Sequence, residues 1–202
     1  MHNPNKSTRR TRYLLTKSIL DRFGSLIFLI LLAIPMAVLW CVIHLTMPGP
    51  AIYPQERLGL HGRPFLMHKF RTMVVNAEQC GVQLTQIDDP RITPLGRLLR
   101  RFHLDELPQL VNILRGEMSF VGPRPERAFF YDRYTDTVPG FDRRLDVLPG
   151  LTGWAQVNGG YDITPAEKLR YDLEYIQNRS LLFDLKCLLL TVVVIINGEG
   201  SR

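Results

Sequence analysis

Between residues 23 and 55 no aspartate, glutamate, lysine or arginine interrupts the chain, and residues 26–43 form a nearly unbroken apolar run. Its length approaches the ~20 residues that cross a bilayer core. Pro35 falls in its middle, where a missing N–H and a ring that clashes with the preceding turn predict a kinked helix. The pattern predicts that helix over residues 23–47, with residues 1–22 a separate basic arm. A buried core helix is the alternative reading of so apolar a stretch. The run is longer than a signal-peptide core, and no small-residue cleavage site follows it.

The pattern changes after the turn residues Met47-Pro48-Gly49-Pro50. Residues 51–57 and 65–73 read as short strands joined through Leu60-His61-Gly62, hence a hairpin. Residues 74–89 are polar and weakly patterned, which predicts a mobile loop. Thr93-Pro94 supplies an N-cap and a proline at the first helical position, and Leu95, Leu98, Leu99 and Phe102 then recur at helical spacing. A second helix is predicted from Asp105 to the stop at Gly116, with Leu107, Leu110, Val111 and Leu114 as its buried stripe. Further on, Thr164-Pro165-Ala166-Glu167 is a capping box, which starts a helix over residues 165–178. Ser180 is placed to cap a last helix whose uncharged part, residues 187–196, is too short to span a bilayer alone. Asp184 and Lys186 resist its deep insertion, so it is read as packed on the domain at a membrane surface, or else as a core helix. The fold class that follows is α+β, predominantly helical, with residues 48–202 as one domain.

Charge adds an orientation. Lys6, Arg9, Arg10, Arg12, Lys17 and Arg22 precede the apolar segment, and Arg57, Arg63, Lys69 and Arg71 follow it. The positive-inside tendency asks for cytoplasm at both flanks, which a re-entrant hairpin bent at Pro35 satisfies and a straight span does not. The net charge of +6 suits an anionic partner: nucleic acid, acidic lipid or a phosphorylated substrate. Cys41, Cys80 and Cys187 are too scattered for a metal knot or a disulfide framework.

The chemistry concentrates in Asp105-Glu106. At a predicted helix start these acids can simply cap it, the backbone N–H groups favouring the carboxylate form. With Arg97, Arg100 and Arg101 close in sequence, they also suit phosphoryl transfer. One carboxylate attacks phosphorus, the other helps hold a cation, and arginines offset charge on the phosphate oxygens. Hard oxygen ligands favour Mg2+ over zinc. Lys69 and Arg71 share a strand face, either clamping a phosphate or facing solvent. Arg124 is held between Pro123 and Pro125, which lowers the entropy lost in aiming it at an anion. Trp154 can stack on a base, anchor at a lipid interface or pack in a core.

Four ordered motifs, Lys69-Phe70-Arg71-Thr72-Met73, Asp105-Glu106-Leu107-Pro108-Gln109-Leu110, Val121-Gly122-Pro123-Arg124-Pro125 and the stretch from Pro149 to Gly159, resemble the bacterial sugar transferases, or monotopic phosphoglycosyl transferases. The resemblance implies a monotopic enzyme with a re-entrant N-terminal helix and a catalytic domain on the cytoplasmic face of the bacterial inner membrane. It implies transfer of a sugar 1-phosphate from a UDP-sugar to polyprenyl phosphate, usually undecaprenyl phosphate, with release of UMP, at the start of surface-glycan assembly. Asp105 would be the nucleophile and Glu106 would help bind Mg2+. Arg100 and Arg124 would contact phosphate, and Lys69 and Arg71 would line that site. Anionic headgroups are implied as partners and nucleic acid is not. The family often breaks its helix at Ser-Pro; here the pair is Ile34-Pro35. A phosphodiesterase with the same carboxylates, or a non-enzymatic scaffold of glycan assembly, are the rival readings.

Overall fold

The computed structural model describes residues 4–79, 81–86, 88–159 and 163–197, so Cys80 lies outside the described residues. The apolar segment is not one helix with a basic arm before it. Helix α1 (Pro4–Leu31) already contains the basic residues, and α2 (Ala33–Thr46) follows it after a bend of 63°. The break sits at Leu32, one turn ahead of Pro35, for a local reason. The helical ladder closes from Leu32 N–H to Phe28 O at 2.8 Å and resumes from Met36 N–H to Leu32 O at 2.8 Å. Between them Pro35 has no N–H for the Leu31 carbonyl, and its ring displaces that carbonyl, so the strain is released a turn upstream. Among the described residues no single helix is long and apolar enough to cross a membrane; the bent pair meets that test only together.

The pair is laid against the rest of the chain on one side. Leu29 and Leu32 pack with Met67, Leu110, Ile113 and Met118, and fully buried Ile43 packs with Ala51, Phe70 and Leu99. Other faces stay apolar and open, with Ile30, Leu31 and Ile34 well exposed. Strands β1 (Ile52–Leu58) and β2 (Pro64–Phe70) form the expected antiparallel hairpin, Tyr53 opposite Lys69, with His61 and Gly62 in left-handed conformations at the reversal. Helix α3 (Pro94–Arg101) starts as read: Thr93 Oγ1 accepts the Gly96 N–H at 2.9 Å. Its apolar stripe is not wholly inward, since Leu99 is buried while Leu98 and Phe102 are exposed.

Helix α4 (Gln109–Arg115) begins later than predicted, and Asp105 is not its N-cap. Residues Leu104–Glu106 form a 3₁₀ turn entered through His103 at φ 54°. Pro108 cannot donate to the Leu104 carbonyl, so Glu106, Leu107 and Leu110 bond three residues back instead of four. The short parallel pair β3 (Ser119–Val121) and β4 (Gly150–Thr152) is bridged by α5 (Ala128–Thr137), then α6 (Trp154–Gly159), α7 (Pro165–Asn178) and α8 (Leu181–Asn197) follow. The capping box at Thr164 and the Ser180 cap are both present. Tyr131 and Phe141 pack with Leu169 in the core. Trp154 is likewise a packing residue, edge-on to Phe183 with the Lys186 ammonium over its ring.

Candidate active site

The turn after α3 buries both acids side by side, with Asp105 8% and Glu106 9% exposed. Their surroundings then separate them. Glu106 Oε1 accepts from Lys69 Nζ at 2.8 Å and from Arg124 Nη2 at 2.6 Å, while Arg124 Nη1 approaches Oε2 at 3.4 Å. Among the described residues no hydrogen bond or ion pair restrains the Asp105 carboxylate.

Burial raises the pKa of Asp105, with the charge of Glu106 adding to it against Lys69, Arg100 and Arg124. Burial pushes Glu106 the same way, but Arg124 and then Lys69 outweigh it and hold that carboxyl well below its ordinary range. Burial pulls Lys69 down, opposed by Glu106; the 2.8 Å contact to an ionised carboxylate makes Lys69 the ammonium partner. Two adjacent carboxyls with opposite shifts suit two different roles. No helix start keeps Asp105 ionised, contrary to the sequence-based expectation, because it lies in a 3₁₀ turn and α4 starts four residues later, at Gln109.

Each cation is aimed by its own element. Lys69 comes from β2, which is tied to α4 by buried Asn112: its side chain accepts from His68 N–H at 3.1 Å and donates to Leu66 O at 2.7 Å. Arg100 comes from α3 and donates from Nε to Thr72 Oγ1 at 2.8 Å. Gly96 lets α3 come that close, since a Cβ there would lie 2.0 Å from Thr72 O. Arg124 sits on a braced turn. Pro123 O accepts from Gly150 N–H at 2.9 Å, Arg124 O accepts from Arg144 Nη2 at 2.9 Å, and Pro125 O accepts from Arg57 Nη1 at 2.9 Å. Gly122 is required there because a Cβ would stand 2.4 Å from Leu148 O.

Arg71 does not join Lys69. Strand β2 ends at Phe70, and the Arg71 side chain, 6% exposed, donates to the carbonyls of Met47, Pro48 and Gly49 where the chain leaves α2. The loop of residues 74–89 is tied at several points, by Asp89–Arg91 at 2.6 Å, Glu78 Oε2–Arg127 at 3.0 Å and a long contact from Arg100 to Thr85. Asn112 escapes sequence reasoning because a buried asparagine carries no motif of its own, and Thr72, although it lies in a quoted motif, gives no sign that it receives Arg100. Another missed group is Asp184 of α8, which accepts from Tyr13 at 2.9 Å, Lys17 at 3.0 Å and Tyr175 at 2.7 Å; the Tyr175 hydroxyl also lies 3.0 Å from Val121 O, which shares its one proton with Asp184. This buried knot fastens the first half of α1 to the body that carries Arg124. An acid interrupting the apolar face of the last helix was its one visible signal.

Among the described residues no third acidic, histidine or cysteine side chain joins the pair to make a metal cluster. Two carboxylates still fit Mg2+, which takes few protein ligands and completes its shell with phosphate oxygens and water. Asp105 and Glu106, whose Oε2 has only the long 3.4 Å contact from Arg124, would be its protein ligands.

A buried acid pair, one member bonded to two cations and the other, among the described residues, without a hydrogen bond or ion pair, thus sits on a mainly helical α+β scaffold. The chain belongs to the bacterial sugar transferase family, whose model matches residues 12–198. It is 41% identical over 164 residues to the UDP-N-acetylgalactosamine-undecaprenyl-phosphate N-acetylgalactosaminephosphotransferase of Aeromonas hydrophila, covering 80% of this chain and 39% of that protein. It is 44% identical over 164 residues to the UDP-glucose:undecaprenyl-phosphate glucose-1-phosphate transferase of Escherichia coli, covering 77% of this chain and 35% of the relative. The Caulobacter vibrioides protein of that same name is 39% identical over 192 residues, covering 93% of this chain and 72% of the relative. The chain thus spans little more than a third of two of these relatives and most of the third.

Proposed function

We propose that this protein is a phosphoglycosyl transferase that moves a sugar 1-phosphate from a UDP-sugar to polyprenyl phosphate, initiating synthesis of a bacterial surface glycan. The observation that carries the reading is the unrestrained Asp105 carboxylate beside Glu106, whose charge is balanced by Lys69 and Arg124. An Asp105 oxygen attacks the sugar-bearing phosphorus, forming an O–P bond as the bond from that phosphorus to the bridging oxygen breaks, and UMP leaves with that oxygen. A phosphate oxygen of the acceptor then attacks the same phosphorus, and the Asp105 carboxylate departs unchanged. Arg100 and Arg124 offset the charge gathering on the non-bridging oxygens. Lys69 keeps Glu106 ionised and placed. Mg2+, held by Glu106 Oε2 and Asp105, would polarise the phosphate oxygens when bound.

The donor is water-soluble and the acceptor is a lipid, so both must reach Asp105 at a membrane face. The bent pair α1–α2 suits a re-entrant anchor at the bacterial inner membrane, with the catalytic domain in the cytoplasm. Support comes from its two ends: Tyr13 and Lys17 near the start are bonded to Asp184, and Met47 at the end is held by Arg71, all within one body. The exposed apolar faces of α2 and α8, with Leu45 82% and Leu182 79% exposed, suit the same surface.

Purified protein with Mg2+ and radiolabelled UDP-sugar tests the reading. UMP with lipid-linked phosphosugar is expected, and neither should form with Asp105→Asn. Free sugar phosphate would indicate a phosphodiesterase, and absence of turnover a scaffold. Cysteines at Arg12 and Gln177 should both label only from the cytoplasmic side; labelling from opposite sides would replace the re-entrant anchor with a span.

A further inference from the structure

A cavity of about 490 Å3 lies beside the point where α2 ends, walled by Met47, Met73, Val74, Val75, Leu95 and Arg71. That volume is in the range of sites that hold small organic ligands. The wall is mostly apolar, with the hydroxyl-bearing Thr46 and Thr93 and a single charged side chain, Arg71, which is unusual in three ways. It is 6% exposed, among the described residues it has no carboxylate partner, and its Nε–H finds no acceptor. A buried guanidinium bonded only to three carbonyls has their dipoles but no counter-ion, so the cavity combines mostly apolar walls with one cation that lacks an anion. A nucleotide sugar would find few polar partners there. An amphiphile with one anionic end meets both requirements.

Position narrows the occupant. The cavity is lined by Thr46 and Met47, where α2 ends, and Val38, Val42 and Leu45 of the same helix are exposed. On its other side the chain runs from Arg71 to Thr72, whose hydroxyl receives Arg100 at 2.8 Å, and back to Lys69 on Glu106. A chain lying in it would thus enter from the lipid-like face and end near the cations of the carboxylate site.

Building on the transferase reading, we propose that this cavity binds the head-proximal isoprene units of the polyprenyl phosphate acceptor, with Arg71 attracting its phosphate end. It is a site for the second half-reaction only. Val74 and Val75 are half-exposed, so a larger side chain there fills the cavity without entering the core.

The test uses the full chain in phosphatidylcholine nanodiscs. Val74→Trp and Val75→Trp should each raise the KM for undecaprenyl phosphate by about tenfold or more, while the burst of UMP from UDP-sugar alone stays within about twofold of the unaltered protein. A diazirine-bearing prenyl phosphate should crosslink to residues 73–75. Unlabelled undecaprenyl phosphate should compete it away, and phosphatidylglycerol should not. An unchanged acceptor KM in both variants would overturn the proposal. Equal competition by phosphatidylglycerol would do so too, by making the cavity a general lipid site. If the unaltered protein gave no UMP burst, the transferase reading would fall, and the crosslink, which needs no turnover, would still decide the cavity.

Discussion

Glu106→Gln changes one buried atom type and takes from two cations the carboxylate they are bonded to. Its Oε1 receives Lys69 at 2.8 Å and Arg124 at 2.6 Å, with the three side chains 11%, 17% and 37% exposed respectively. Removing one partner of a buried pair typically costs ~3–5 kcal/mol, most of it from the charges left behind. Water screens the more exposed Arg124, which places the expected loss near 3 kcal/mol, about the lower end of that range. For a chain of this size each kcal/mol shifts the melting temperature by about 2–4 °C, so the variant should melt about 6–12 °C lower. Differential scanning fluorimetry in detergent reads this directly. Adding Lys69→Met removes one stranded cation, so the double variant should lose less than the two single losses summed, by about 1 kcal/mol or more. A fall under about 2 °C for Glu106→Gln, or strictly additive losses, would refute the view of Glu106 as the charge that holds Lys69 and Arg124.

Asp105→Asn should abolish UMP release and yet raise the melting temperature at pH 7. Its folded pKa lies above the unfolded value, so its contribution is fully favourable below the unfolded pKa and is lost as pH rises through the folded one. The amide removes that loss, so its advantage should vanish as the buffer is acidified, and a variant less stable at neutral pH would contradict the burial argument. The UMP burst should also fall on acidification as Asp105 protonates, with Glu106 still ionised; a burst that grows toward low pH would exclude Asp105 as the attacking group. Gly122→Ala forces a Cβ to 2.4 Å from Leu148 O and 2.9 Å from Gly150 N. It should shift the Arg124 turn and lower kcat/KM by about tenfold or more, measured at saturating acceptor. Asn112→Ala strands the His68 N–H and the Leu66 carbonyl, and should cost about 2–3 kcal/mol in thermal or denaturant melting.

Local chemistry was legible from the chain alone wherever neighbours in sequence decide the outcome. The caps at Thr93 and Thr164, the hairpin through His61 and Gly62 and the proline-bounded Arg124 all depend on residues a few positions apart. The pairing of Asp105 with Glu106 and the presence of Arg100 and Arg124 were legible for the same reason, strengthened by the order of the motifs. Local rules misled where a proline acts at a distance along the chain: Pro35 moves the break to Leu32, and Pro108 turns a predicted helical start into a 3₁₀ turn.

What only the tertiary structure decided is which charge meets which. Lys69 and Arg71 look equivalent on one strand face, but β2 ends between them. One reaches Glu106 and the other caps the exit of α2. The two acids look alike at adjacent positions, yet burial with two cations keeps Glu106 charged, and burial without a bonded partner raises Asp105. Those differences arise from groups many residues apart in the chain, and the free energy of a buried charge depends on its spatial neighbours. The chain therefore carries the inventory of the site, and folding assigns its members their separate tasks.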